Sequence, residues 1–225
     1  MEYLYLTEKE FVVLLSAVGC REWVSVLHES TFRKWDMESE INEILVSLYQ
    51  KSVIEWENGK ATIVPSVRRI FELLKMVQQY VFFARLDEDY PEEYLYVLEA
   101  DIVRLRRSVH EEGKLRLAFQ TLEYVEEELW ENGIFPINIA QFEGNPPMDC
   151  PEIDANAEEM IQSNIVLAFE KRSISKKEVL SRFLVQEKGM YNFFYIQTDG
   201  KTQVYFEEKE STQKLFDQWI REVEV

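Results

Sequence analysis

Glycine is scarce and scattered. The seven glycines of the 225-residue chain stand at 19, 59, 113, 133, 144, 189 and 200, no two closer than eleven residues. A phosphate-cradling loop needs several glycines within a few residues so that the backbone can approach the anion, so Walker and dinucleotide loops are excluded. The same spacing excludes a Gly-x-Ser-x-Gly nucleophile elbow. Histidine and cysteine number two each: His28, His110, Cys20 and Cys150. His28 lies eight residues from Cys20, but a structural zinc takes four ligands in close pairs and there is no second pair. No metal and no cofactor is expected, and the cysteines read as reduced thiols of a cytosolic protein.

Long apolar runs are also missing. Stretches without charge are short, ten residues at Phe11–Cys20 and at Gly189–Thr198 and eleven at 132–142, whereas a membrane-spanning helix needs about 20. The opening "MEYLYLTEKEF" has neither a basic segment nor a small-residue cleavage site, so a secretory signal is not expected and the location implied is cytoplasmic. Positive charge is short: 25 Lys and Arg face 42 Asp and Glu, a formal charge of −17. Such a surface repels phosphate backbones and anionic lipid.

Apolar and aromatic residues are present in quantity, at 46% and 13%, enough for a substantial core. Thr7 with Glu10 has capping-box spacing ahead of Phe11, Leu14, Leu15 and Val18, one face of a helix. Ser39 caps a second helix, whose Ile41, Ile44, Leu45 and Leu48 form one apolar stripe. "VIEWENGKATIV" is a hairpin, because Asn-Gly supplies the two positive-φ residues of a type I′ turn. Pro65 then opens a helix carrying Val67, Ile70, Phe71 and Leu74. "YVFFARL" (80–86) reads as a strand. Residues 94–108 fit both periods, but the alternation of "KLRLAFQT" (114–121) favours a strand hairpin there, before an acidic helix over 122–133. "EGNPPMDCPEIDAN" (143–156) is a Pro-rich linker between units 1–142 and 157–225. "NIVLAFEKR" (164–172) is a strand, Ser175 caps a helix bearing Val179, Leu180, Phe183 and Leu184, and "NFFYIQTDGKTQVYF" is a second Asx-Gly-Lys hairpin before a last amphipathic helix. Both ends therefore read as β-α-β-β-α. The fold class expected is α+β, antiparallel sheet flanked by helices, with a pseudo-twofold internal repeat and a winged-helix-like N-terminal unit.

The chemistry that remains is weak. The carboxylate runs "DEDYPEE" (87–93), "EEE" (126–128) and "EEKE" (207–210) lack the alternating oxygen ligands and central glycine of a calcium loop and read as solvated faces. A winged helix that reads DNA would use 39–51, but Glu40 and Glu43 present the wrong sign to phosphate. Aromatic residues on the two hairpins are the positive signal. One face of each strand feeds a core, and the other supplies a partner surface for which Trp56, Phe193, Tyr195 and Tyr205 are the candidates.

"LTEKEFVVLLSAVG" followed by "INEILVSLYQKSVIEWENGKATIVPSVRRIFELL" resembles the helix, hairpin, helix start of EspG-type proteins, cytosolic chaperones of type VII (ESX) secretion systems. The resemblance spans about the first 85 residues and continues beyond them only in element order; Ser52 stands where many such sequences have glycine. It implies a pseudo-twofold α+β protein that is not an enzyme and that shields helical-hairpin secretion substrates before export. The alternative is a winged-helix-type regulator acting through protein or nucleic-acid contacts.

Overall fold

A computed structural model of the chain describes residues 3–20, 36–85, 92–98, 101–108, 111, 113–131, 135, 165–174, 178–188, 191–198, 201–205 and 209–222. Their elements run β1 (Leu4–Thr7), α1 (Glu8–Ala17), α2 (Met37–Gln50), β2 (Ile54–Glu57), β3 (Lys60–Ile63), α3 (Pro65–Met76), β4 (Gln79–Arg85), β5 (Glu93–Leu98), β6 (Asp101–Arg107), β7 (Lys114–Thr121) and α4 (Leu122–Glu131). They continue with β8 (Ile165–Ser173), β9 (Val179–Lys188), β10 (Tyr191–Thr198), β11 (Lys201–Tyr205) and α5 (Lys209–Arg221). The linker 143–156 lies outside the described residues, as do His28, His110 and Cys150.

Nine strands form one antiparallel sheet in the order β1-β7-β6-β5-β4-β8-β9-β10-β11, and β2 and β3 form a separate two-stranded one. The α+β class with helices flanking antiparallel sheet holds. The strand-or-helix ambiguity at 94–108 resolves as β5 and β6, paired Leu98↔Asp101 through Glu93↔Arg106. Units 1–142 and 157–225 share the sheet, because β4 pairs with β8 along seven residues from Gln79↔Ser173 to Arg85↔Leu167.

The repeat has different members from those expected. The segment read as a helix after Ser175 is β9. Leu184 and Gln186 are buried, as are Phe183 and Val185 on the opposite side of the strand, so both sides of the run face the interior and its period of two is hidden. The two Asx-Gly-Lys hairpins are not equivalent either: one closes the small sheet, and the other, β10–β11, is the end of the large one. What recurs is a four-strand meander followed by a helix, β4–β7 with α4 and β8–β11 with α5, joined where β4 meets β8.

Alternation sorts the strands onto two faces. On one, Tyr80, Tyr94, Tyr96, Val103, Leu105, Leu115 and Leu117 pack with α1, α2 and α3 through Phe11, Leu48 and Phe71. On the other, Phe83, Phe169, Phe183 and Phe194 pack with α4 and α5 through Leu129, Phe216 and Trp219. Here the rings interlock: Phe83 stacks on Phe169 at 4.6 Å, and Phe216 meets Phe169 at 4.9 Å and Phe183 at 5.3 Å. Each such side chain contributes about 1.5–3 kcal/mol by leaving water.

The starts of α1 and α3 follow their local signals, whereas α2 begins at Met37 with Asp36 at its N-cap, so that Ser39 is not the cap but lies in the first turn, its hydroxyl donating to Asp36 O at 3.0 Å. Thr7 and Glu10 close the predicted capping box. Glu10, 2% exposed, also accepts from Ser47 at 2.6 Å and from Lys51 at 2.6 Å, which ties α1 to α2. At the end of α2, Ser52 takes φ +57°, Val53 N–H donates to Leu48 O at 2.9 Å and Ser52 N–H to Tyr49 O at 2.9 Å. That is the paired bonding of a Schellman cap, whose left-handed residue is normally glycine. At the β2–β3 turn, Asn58 and Gly59 have φ of +50° and +76°, the two positive values expected of Asn-Gly.

Candidate functional surfaces

The residues singled out for a partner surface do not converge. Trp56 lies on β2, half exposed at 50%, opposite Ala61. Phe193 and Tyr195 lie on β10 and are 2% and 1% exposed. The Tyr195 hydroxyl donates to Gln186 on β9, as a tyrosine of the interior does. The expectation that these two line an exposed aromatic face is corrected: Phe193 and Tyr195 on one side of β10, and Phe194 on the other, are all buried. Tyr205 ends β11, with its backbone opposite Phe194.

Sequence reasoning missed the outer face of α2. Val46 and Tyr49, three residues apart and therefore neighbours on the helix surface, are 52% and 53% exposed. The stripe Ile41, Ile44, Leu45, Leu48 turns the other way, into the core. The signal was available, since Val46 and Tyr49 fall outside that stripe. The same helix carries Glu38 and Glu40 in its first turn, and Glu40 is held by Lys9 of α1. A helix with that start would meet DNA phosphates with negative charge.

Two clefts open at the sheet. One, of about 470 Å³, lies where β4 begins, β5 ends and α5 ends; Met76, Val77, Val97, Leu98 and Ile220 line it with Lys171. Lys171 is 1% exposed, donates to Trp219 O and to Glu222 O at 2.7 Å, and so places its charge at the negative end of the α5 dipole. The other cleft, of about 360 Å³, lies between β10–β11 and α5, beside Ile196, Gln203, Leu215 and Trp219.

Titratable groups are engaged in structural networks. Glu93, 1% exposed, accepts from Arg104 at 2.5 Å and pairs with Arg106, and Arg104 reaches Glu128 of α4 at 2.8 Å. Glu170 accepts from Arg172 and Arg182. Burial raises the Glu170 carboxyl, yet the bonds from Arg172 and Arg182 outweigh it and hold the pKa low. Glu126 goes the other way: burial first, then the Asp217 carboxylate on α5, pushes it up to about 7. That pair of carboxyls lines neither cleft. Among the described residues no group of three or more His, Cys, Asp or Glu could hold a metal ion, and no helix is long and apolar enough to cross a membrane.

No family model and no curated protein matches the chain. Among solved structures it is similar to one described as the Mycobacterium tuberculosis type VII secretion system chaperone EspG5 in complex with a PE25–PPE41 dimer, with a TM-score of 0.56, 9% identity, and 95% of this chain and 94% of that chain covered. The fold is EspG-like. At 9% identity the likeness is one of architecture. Because it runs nearly end to end in both chains, it takes in the α1–α3 and hairpin unit as well as both meanders.

Proposed function

We propose that this chain is a non-enzymatic, protein-binding accessory protein that holds an α-helical substrate of a type VII secretion pathway. The observation that carries the reading is the end-to-end likeness of fold to a chaperone whose structure contains a bound protein dimer. Val46, Tyr49 and Trp56 are apolar, exposed and belong to consecutive elements of one unit, and large aromatic side chains of this kind anchor protein interfaces. The charge of −17 keeps the loaded complex soluble and discourages acidic competitors.

The test is affinity purification of the tagged chain from its own host at ~0.15 M salt, with identification and stoichiometry of what is retained. A small helical protein in fixed ratio is expected, and Trp56→Ala should weaken its binding by about tenfold or more while leaving the melting temperature unchanged. Retention of DNA, or binding indifferent to changes at both Tyr49 and Trp56, would overturn this reading.

A further inference from the structure

The two meanders end differently. The outer edge of β7 is covered by β1, antiparallel, from Leu4↔Leu117 to Thr7↔Lys114. The strand in the corresponding place of the second meander is β11, and among the described residues nothing pairs with its outer edge. Its own pairing fixes which groups face outward. Thr198 is opposite Lys201 with two residues between them, and a pair that flanks a two-residue connection exchanges both backbone bonds. Lys201, Gln203 and Tyr205 therefore bond inward to β10, and the N–H and C=O groups of Thr202 and Val204 point away from the sheet. The side chains of Lys201, Thr202, Gln203 and Val204 are all exposed. Natural edges are blunted by proline, bulges or several charges. "KTQVY" has one charge and no proline, and its register with β10 is unbroken.

We propose that β11 is the seat of a homodimer in which the β11 strands of two copies pair antiparallel about a twofold axis at Gln203. In that register Thr202 of one copy exchanges both backbone bonds with Val204 of the other, and Lys201 falls opposite Tyr205. The lone positive charge never meets itself, and no β11 carboxylate has to be desolvated. In a chain of −17, β11 is itself a strand of net +1, so the five paired residues of each copy bring no acidic group against another. Antiparallel strands are self-complementary, as an isologous contact requires. A ladder of five residues a side is small beside a standard interface, so the dimer is weak and concentration-dependent. The proposal stands apart from the helical-substrate reading, which uses α2 and β2.

Sedimentation velocity over about 1 to about 300 µM, the range that brackets a weak complex, should show a monomer passing to a dimer. Val204→Pro removes an outward N–H that β10 does not use, so it should leave the circular dichroism intact and abolish the dimer. The register is tested by two double variants. Thr202→Lys with Val204→Lys sets like charges opposite one another and should dissociate the dimer; Thr202→Lys with Val204→Glu sets opposite charges and should tighten it by about threefold or more. A chain that stays monomeric throughout, leaving the edge to a strand of another protein or to water, overturns the proposal. So does a dimer indifferent to Val204→Pro, or one that treats the two charge variants alike.

Discussion

The meander β4–β7 with α4 and the meander β8–β11 with α5 have the same element order, yet they are finished differently. The first carries α1, α2 and α3 on one face and has β1 along its edge; the second ends in a five-residue strand whose outer edge no other strand among the described residues covers. The means of fastening the helix also differ. α4 is tied to the sheet by an ion pair, Arg104 to Glu128 at 2.8 Å. α5 is tied by Lys171 on its terminal carbonyls and by Trp219 Nε1 donating to Ser181 at 3.0 Å. Topology thus sets how the sheet is laid out, and the side chains on each half set what can still be added to it.

The largest effect is expected at the seam. Phe169 of β8 stacks on Phe83 of β4 and touches Phe135 and Phe216, so Phe169→Ala removes a ring on which both halves rest. A loss of about 3–5 kcal/mol, read as a shifted urea midpoint, should come with a single transition. Two separate transitions would show that the halves fold independently.

Within each half the fastening can be cut. Glu93→Gln takes the fully buried carboxylate from Arg104, 4% exposed, and leaves it beside Arg106 with Glu128 as its remaining counter-charge, and should cost about 3 kcal/mol. Lys171→Met strips a donor from the Trp219 and Glu222 carbonyls, which are neutral, and should cost about 2 kcal/mol. Thermal or urea denaturation decides the order; a larger loss at Lys171 would reverse the comparison of the halves.

The legibility of these parts followed their exposure. Most of the described N-terminal elements could be read from the sequence, apart from the start of α2, because the capping box at Thr7, the stripe of α2, the Asn-Gly turn and Pro65 at the start of α3 are each half-exposed elements whose polar side keeps its period. In the second meander Phe183, Leu184, Val185, Phe193, Phe194 and Tyr195 are buried on both sides of their strands, so no polar alternation remains to separate strand from helix or inner face from outer. The error at β9 and the misplaced aromatic surface at Phe193 and Tyr195 have that single cause. The role of Trp56 as an exposed side chain was legible for the opposite reason: Glu55, Glu57 and Lys60 around it mark a solvated hairpin.

The helices of the two halves meet through a carboxyl pair that makes their contact depend on pH. Glu126 of α4 has a pKa raised by burial, by Asp217 and by Glu123, against the opposing charge of Arg221, which bonds Asp217 at 2.6 Å. A carboxyl whose folded pKa stands above its unfolded value adds stability that is complete below the unfolded value and is lost as pH rises through the folded one. The melting temperature should therefore fall between pH 5 and pH 8, the window set by a value of about 7 and an unfolded value of about 4.3. Glu126→Gln, which keeps the hydrogen-bonding shape without the charge, should remove that part of the slope. Glu10 and Glu170 act in a different window. Burial raises each, but hydrogen bonds from Lys51, Ser47 and Thr7 to Glu10, and from Arg172 and Arg182 to Glu170, leave their pKa values lowered. Their contribution is present above about pH 4.3 and is lost below it. Equal slopes for the parent and Glu126→Gln would mean that no proton is shared between α4 and α5.

The smallest effect is expected at Ser52, and its sign is the informative part. A serine at φ +57° holds a left-handed conformation that L-residues adopt at a cost of roughly 1–2 kcal/mol. It is kept there because its backbone closes the α2 cap and because the next residue, Val53, 1% exposed, joins Leu48 in the core. Ser52→Gly relieves that strain but adds freedom to the unfolded chain, which offsets part of the gain. A net stabilisation of about 0.5–1 kcal/mol should result, with the position of Trp56 unchanged because the hairpin register depends on Asn58 and Gly59. If Ser52→Gly instead weakens partner binding while raising the melting temperature, then the rigidity of the link between α2 and β2 is part of how the N-terminal unit presents Tyr49 and Trp56 together.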